Sequence, residues 1–399
     1  MKTACKVLLL FIAAVCYTQT TVNDEIHILE ETQMTASDVF HIAPSAQVIN
    51  DGKLLLKGDL INNGVFSYTS TSNESAVHFI GDIQQILGDQ TSVFYNVLFN
   101  NTTTILKGNI QVDHDADFTR GIVDNELDGG LFFFNDLSDH VNASNLSFVR
   151  GTVLKNGNLD FTFPIGAANQ YRPAFIENLT YENRVSGCYF FKDSNALYPH
   201  DAKQGIIDFI DNKEYWELKR IEGTDVAMVT LSRNAATSSL EIMNAALSAL
   251  HIVRWDTAKE YWVDEGGIPM PGSEAIKTIT NVSGYGIFAL ALVRKDAILP
   301  GNILVYNNLT PNGDGLNDAL IITGIERFPD NIVRIFNRWG VKVSEIHGYN
   351  NEEKVFKGYA NSSSEHQSSE LLPSGTYYYI LEYNAAAEGI KTINYLFIN

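Results

Sequence analysis

The chain is short of cysteine and of positive charge, and each shortage narrows what it can be. Only three of its 399 residues are cysteines. Cys5 and Cys16 fall in the amino-terminal segment, which leaves Cys188 without an internal partner. A core without disulfides must hold by burial, and Cys188 reads as a small buried hydrophobe. Lysine and arginine number 28 against 47 acidic residues, a net charge of −19. That acidity argues against nucleic acid and anionic membrane as partners and suits a solvated extracellular surface. The compact catalytic signatures are also missing: G-x-S-x-G, H-E-x-x-H, a Walker loop and G-x-G-x-x-G. After the first twenty residues no run is long and apolar enough for a spanning helix. The expectation is an exported protein that is not an enzyme.

The amino-terminal segment fits that expectation. Lys2 and Lys6 precede residues 7–15 (VLLLFIAAV), an apolar core too short to span a bilayer permanently. Residues 1–20 therefore read as a secretory signal peptide, with cleavage expected between Cys16 and Thr20. Cys16 invites a lipoprotein reading, but Val15 is larger than the residue a lipobox wants there. Losing this segment removes two lysines and no acid, so the mature chain carries about −21. The remaining length is enough for two or three domains.

Residues 21–165 alternate short β runs with Asn, Asp, Thr and Gly corners. Residues 54–60 (LLLKGDL) return as 105–110 (ILKGNI), an offset of 50 between Lys57 and Lys107. Between them lie 76–81 (AVHFIG) and 93–100 (VFYNVLFN), with turns at Asp51-Gly52 and Asn62-Asn63-Gly64. This pattern resembles the rungs of a parallel β-helix, each of about 20–25 residues and each needing its neighbours to bury its apolar face. An antiparallel sandwich is the alternative that the same turns allow. Asparagines at the corners suit unusual backbone angles and laddering between turns. The sequons at Asn101 and Asn142 read as by-products of this composition.

Residues 166–296 change character. Strand-like runs lengthen and become aromatic at 187–192, 215–220, 226–231, 250–255, 261–263 and 285–293, which predicts a second β unit, a sandwich. Residues 238–250 carry apolar residues near helical spacing, with Ser238 or Ser239 as N-cap, which predicts one short helix.

From residue 297 the chain reads as a third unit. Pro311 presets one backbone angle, and Asn312-Gly313 and Asp314-Gly315 are consecutive turn pairs that need positive φ. Strands are predicted at 319–322, 331–337, 341–346, 376–383 and 391–398, with Arg338-Trp339-Gly340 as a hairpin connection and Pro373-Ser374-Gly375 as a further turn. The blocks TPNGDGLND, IFNRWG and LPSGTYYYILEY, followed by a final strand, resemble the gliding-motility-associated C-terminal domain, the type B sorting domain of the type IX secretion system in Bacteroidota. Leu309 stands where that family more often has Phe, and its tryptophan-containing block is represented here by residues 355–361 (VFKGYAN). The resemblance implies an Ig-like sandwich over 297–399 and a sorting motif of Thr310, Pro311, Asn312, Gly313, Asp314, Gly315, Asn317, Asp318, Asn337, Arg338, Trp339, Gly340, Pro373, Gly375, Thr376 and Tyr377. It also implies as partners the type IX translocon and an outer-membrane protein of the PorP/SprF kind. More loosely, TFPIG, YRPA, RWD, YWVDEGG and GYGIFAL look like segments between stalks and sorting domains of flavobacterial surface proteins.

The chain is thus expected to be all-β: a β-helix-like stalk (21–165), a β-sandwich (166–296) and the sorting domain. The function expected is that of an adhesin-like protein, secreted or displayed beyond the outer membrane, with an extracellular glycan or surface protein as its ligand. The alternatives are a polysaccharide-active enzyme or a carbohydrate-binding protein. No cofactor is expected, and calcium is the one ion with candidate ligands, at Asn312, Asp314, Asn317 and Asp318. That loop lacks the acid and the glutamate of an EF-loop, since Thr310 and Ile321 stand there. Asp113, Asp115 and Asp117 would share one face of a strand and offer oxygens to a hard cation. Trp216, Trp255, Trp262 and Trp339 are expected in the core rather than as sugar platforms, and His251 is expected to be packed.

Overall fold

The computed structural model describes residues 19–294, 299–360, 371–385 and 388–399, so the expected signal segment lies outside the described residues up to position 18. From Gln19 the chain winds into a parallel β-solenoid of about seven turns. Each turn crosses three faces, and each face is built from side chains in register between turns. On one face Phe40, Leu60, Ile86 and Leu106 stack. On the next, Val48, Phe66, Ser92, Ile110, Phe132 and Val153 do so. On the third, Leu54, Val77, Val97 and Ala116 do so. All are buried. Parallel pairing requires this, because one turn cannot close a core alone.

Rung length varies from 18 residues (Ser92 to Ile110) to 26 (Leu60 to Ile86). The 50-residue echo is not this repeat. Leu56 leaves the third face at Lys57-Gly58, whereas Leu106 leaves the first face at Lys107-Gly108. What repeats is corner chemistry: a Cβ on Gly58 would lie 2.3 Å from the carbonyl carbon of Asp38, and one on Gly108 2.9 Å from that of Leu87. The previous turn passes too close for any side chain. Buried amides bind adjacent turns. Gln84 donates to the carbonyls of Leu56 and Gly58 at 3.0 and 2.7 Å, and Asn101 donates to Gln84 Oε1 at 3.1 Å. Asn101 is 4% exposed, which removes it as a sequon acceptor.

The solenoid passes into the central unit without a linker. Val153–Gly157 pairs in parallel with Phe132–Phe134 on one edge and antiparallel with Asn183–Phe190 on the other. The sheet continues through Tyr215–Glu222 and Gly286–Val293 to Leu250–Asp256 and Tyr261–Asp264. A second antiparallel sheet runs in the order Phe161–Phe163, Ala174–Glu177, Met228–Ser232, Ala275–Lys277, Ile268–Pro269. Trp216, Phe288, Val229 and Ile276 lie in one apolar cluster that runs on into the solenoid core. The helix predicted over 238–250 is shorter than expected: it is confined to Leu240–Asn244, with Ser239 at the N-cap, and is followed by a separate 3-10 turn at Leu247–Ala249.

The terminal unit is a five-stranded sheet in the order Asn308–Leu309, Glu388–Ile398, Gly375–Ala385, Ile332–Phe336, Lys342–His347. A two-stranded ribbon, Leu304–Val305 with Ile322–Thr323, packs through Ile322 and Val305 on its inner face. The strand predicted at 319–322 is thereby corrected to Ile322–Thr323. Leu320 is buried, but as part of the approach to the ribbon.

Candidate functional site

The separate sequence blocks of the terminal unit meet at one end of its sheet. Asn308–Leu309 pairs with Phe397 and Ile398, and the same two residues pair with Thr376 and Gly375. Phe336, just before the Arg338-Trp339-Gly340 turn, pairs with Tyr378. Residues 310–318, 337–341 and 373–376 therefore share one end, while residue 358 packs against it: a Cβ on Gly358 would lie 3.1 Å from the Pro311 ring.

The 310–318 loop is organised by its own acids. Asp318 accepts the backbone N–H groups of Gly313 and Gly315, both at 2.7 Å. Asp314 accepts from the Asn312 amide at 2.9 Å and from the Leu316 N–H at 2.8 Å. These bonds, the Asn312 amide first, hold the exposed Asp314 carboxyl below the usual carboxylate range. Gly313 and Gly315 have φ of +79° and +86°, as the paired turns require, and Asn317 has +56°. The oxygens read as calcium candidates on Asp314 and Asp318 are thus engaged by N–H donors. Among the described residues no group of three or more His, Cys, Asp or Glu side chains is placed to hold a metal ion.

The hairpin turns on Asn337, whose side-chain oxygen accepts the N–H groups of Trp339 and Val341, both at 3.0 Å. Trp339 is 63% exposed, with the Arg338 guanidinium 4.3 Å from its ring centroid. The expectation that Trp339 is core is corrected: it sits at the crest of a turn, outside the ladder that carries side chains inward. Beside it a cavity of about 220 Å3 is lined by Asn337, Arg338, Trp339, Pro373, Gly375 and Tyr377. The Tyr377 hydroxyl donates to the Pro373 carbonyl at 3.0 Å, and burial raises its pKa against the opposing pull of Arg338. Leu316, Val341 and Phe397 add exposed apolar surface at the same end.

Elsewhere the chemistry read from the sequence is dispersed. Asp115 and Asp117 lie on the outer third face, in register with Asn96 and Leu98, beside a groove of about 270 Å3 that also includes His78. Asp113 does not share that face, because the chain turns a corner between Val112 and Asp115. Its carboxylate instead accepts from the Tyr68 hydroxyl and the Gln111 amide, each at 2.8 Å. Trp216, Trp255 and Trp262 are buried as expected, and His251 is buried against Asp264 at 2.8 Å.

Two arrangements escaped the sequence. Tyr68, Tyr95 and His114 line up along a solenoid corner: Tyr95 and His114 stack with centroids 4.8 Å apart, and Tyr68 is tilted against Tyr95 at 5.2 Å. Only the rung spacing would have aligned them. Arg172 forms a buried two-pronged pair with Glu214, at 2.9 Å for both bonds, and Tyr189 also donates to Glu214 at 2.7 Å. No local signal joins positions 42 residues apart.

Compared with known families, residues 303–398 match the CHU_C Type IX secretion signal domain. No curated protein and no solved structure matches the chain.

Proposed function

We propose that this chain is an adhesin-like surface protein: the terminal unit carries it through the type IX secretion system, and the solenoid and central sandwich are the cargo displayed outside. The observation that carries the export reading is the family match over 303–398, whose motif blocks the fold gathers at one end of a sheet. The machinery would engage that end, through the 310–318 loop and the exposed face of Arg338 and Trp339. An outer-membrane partner of the PorP/SprF kind would complete the route. Exposed aromatic and arginine side chains beside a small cavity are the chemistry that anchors protein partners.

The body is read as binding rather than catalytic. Asp113 is turned away from Asp115 and Asp117, so the one dense acid run does not converge on a reacting centre. A glycan or a surface protein is the ligand class proposed for it.

The deciding experiment is localisation in a type IX-competent host of the full chain and of a chain ending at Pro300. Accumulation of the shorter chain in the periplasm, with the full chain at the surface or in the medium, supports the reading. Equal localisation of the two removes it.

A further inference from the structure

The five-stranded terminal sheet buries apolar side chains on both of its faces. Along Gly375–Ala385, Tyr377, Tyr379, Leu381 and Tyr383 point into the unit's own core. Tyr378 and Ile380 point the other way and join Phe336 and Ile393 in a second cluster. That cluster is completed by Ile268 and Ile279 of the central sandwich, and none of the six residues is more than 6% exposed. On the part of this outer face carried by Arg334 the chemistry is polar: Arg334 bridges Glu345 and Glu382 at 3.1 and 2.8 Å. A face that is apolar where a neighbour covers it and charged elsewhere is shaped for that neighbour.

The contact is close. Gly266 has φ of +81°, and a Cβ there would lie 2.7 Å from Ile393 Cγ2, so the sandwich backbone rests directly on the terminal sheet. The contact also reaches the hairpin. A Cβ on Gly340 would be 3.8 Å from the Ile279 carbonyl oxygen and 4.0 Å from Ile268 Cδ1.

We propose that the export signal is composite: the central sandwich covers and orients the terminal unit, so a chain carries a complete signal only once residues 166–294 have folded. This rests on the reading of the terminal unit as the export address. Without its cover the unit would present Phe336, Tyr378, Ile380 and Ile393 beside Arg338 and Trp339, a second sticky surface competing with the first. With the cover in place, the motif end is the apolar face that remains and the hairpin is held from behind. Passenger folding is thereby coupled to recognition through one interface.

The test uses the full chain in a type IX-competent host, with three readouts: secreted fraction, dye binding to exposed apolar surface, and the near-ultraviolet signal of the buried tryptophans. The double variant Ile268→Asp/Ile279→Asp removes the cover from the sandwich side, Ile393→Lys removes it from the sheet side, and Ile268→Val/Ile279→Val is the conservative control. A charge buried in an apolar contact breaks it. Expected are more dye binding, a retained tryptophan signal, and a secreted fraction lower by about tenfold or more in both charged variants but not in the control. Wild-type secretion by a variant that binds more dye overturns the proposal. So does unchanged dye binding in both charged variants, since the contact would then not be what covers the face. If the aspartates also abolish the tryptophan signal, Ile393→Lys alone decides by the same criteria. Secretion of the chain ending at Pro300 would instead remove the address reading itself.

Discussion

At the scale of single residues, exposure separates side chains that sequence treats alike. Trp216 and Trp262 are fully buried, and the Trp216 Nε1 donates to the Arg172 carbonyl at 2.9 Å. Trp339 stands mostly in solvent. Trp339→Ala is therefore expected to change stability by no more than about 0.5 kcal/mol, as surface substitutions do. Secretion should fall, and thermal melting beside secreted yield separates the two effects. Asp211 supplies a pH dependence. Burial, and then the Glu214 charge, push its carboxyl up to about 7 against the hydrogen bonds of Lys213 and Ser239. Because the folded value lies above the unfolded one, this group's contribution to stability is complete below its unfolded pKa and is lost as pH rises through about 7. Between about pH 5 and about pH 8 the wild type should lose stability relative to Asp211→Asn, on the order of a few kcal/mol. Urea midpoints of both proteins at the two pH values check the sign. The burial of His251 was legible from its apolar neighbours, but the raised Asp211 was not: Glu214 lies only three residues along the chain, whereas the burial that dominates the shift comes only with the tertiary structure.

At the scale of elements, the solenoid is held by what repeats between turns. Phe79, Phe99 and Phe118 stack up the core with centroids 5.6 Å apart at each step. Phe99→Ala opens a hole in the middle of that column. The expected loss is about 3–5 kcal/mol, read as a lower urea midpoint. Strand positions in the central unit were largely legible, because long aromatic and β-branched runs state them locally: 250–255 became Leu250–Asp256 and 285–293 became Gly286–Val293. The rung length was less so. The loudest echo, Leu-Lys-Gly, reports a corner type that occurs at two different corners, while the true turn partners, Ser92 among them, share little beyond burial. In the terminal unit the turn glycines were predictable from φ requirements, yet 319–322 misled, since an apolar run also serves a buried connection.

At the scale of the whole molecule, the three units are continuous. Val153–Gly157 belongs to both the solenoid and the central sheet, and their cores form one cluster. A chain ending at residue 165 would leave that strand's edge unpaired and the top of the core open. It is expected to self-associate through that edge, visible as larger species in size-exclusion chromatography. The terminal unit joins the same body through a sheet covered on both faces. The run TYYYILEY carries a trace of this, because a strand apolar without alternation is buried on both sides. What covers the second side is written elsewhere, at Ile268 and Ile279.

The sequence by itself determined the all-β class, the turn conformations around Gly313 and Gly315, and the identity of the terminal unit. Each depends on local backbone preference or on blocks read in order along the chain. Only the tertiary structure decided that Asp113 leaves the acid face, that Trp339 is outside, that Arg172 meets Glu214, and that the sorting unit rests on its passenger. Those outcomes depend on which residues lie opposite one another after turns of unequal length. Unequal spacing hides such pairs from any local window until stacking sets the register.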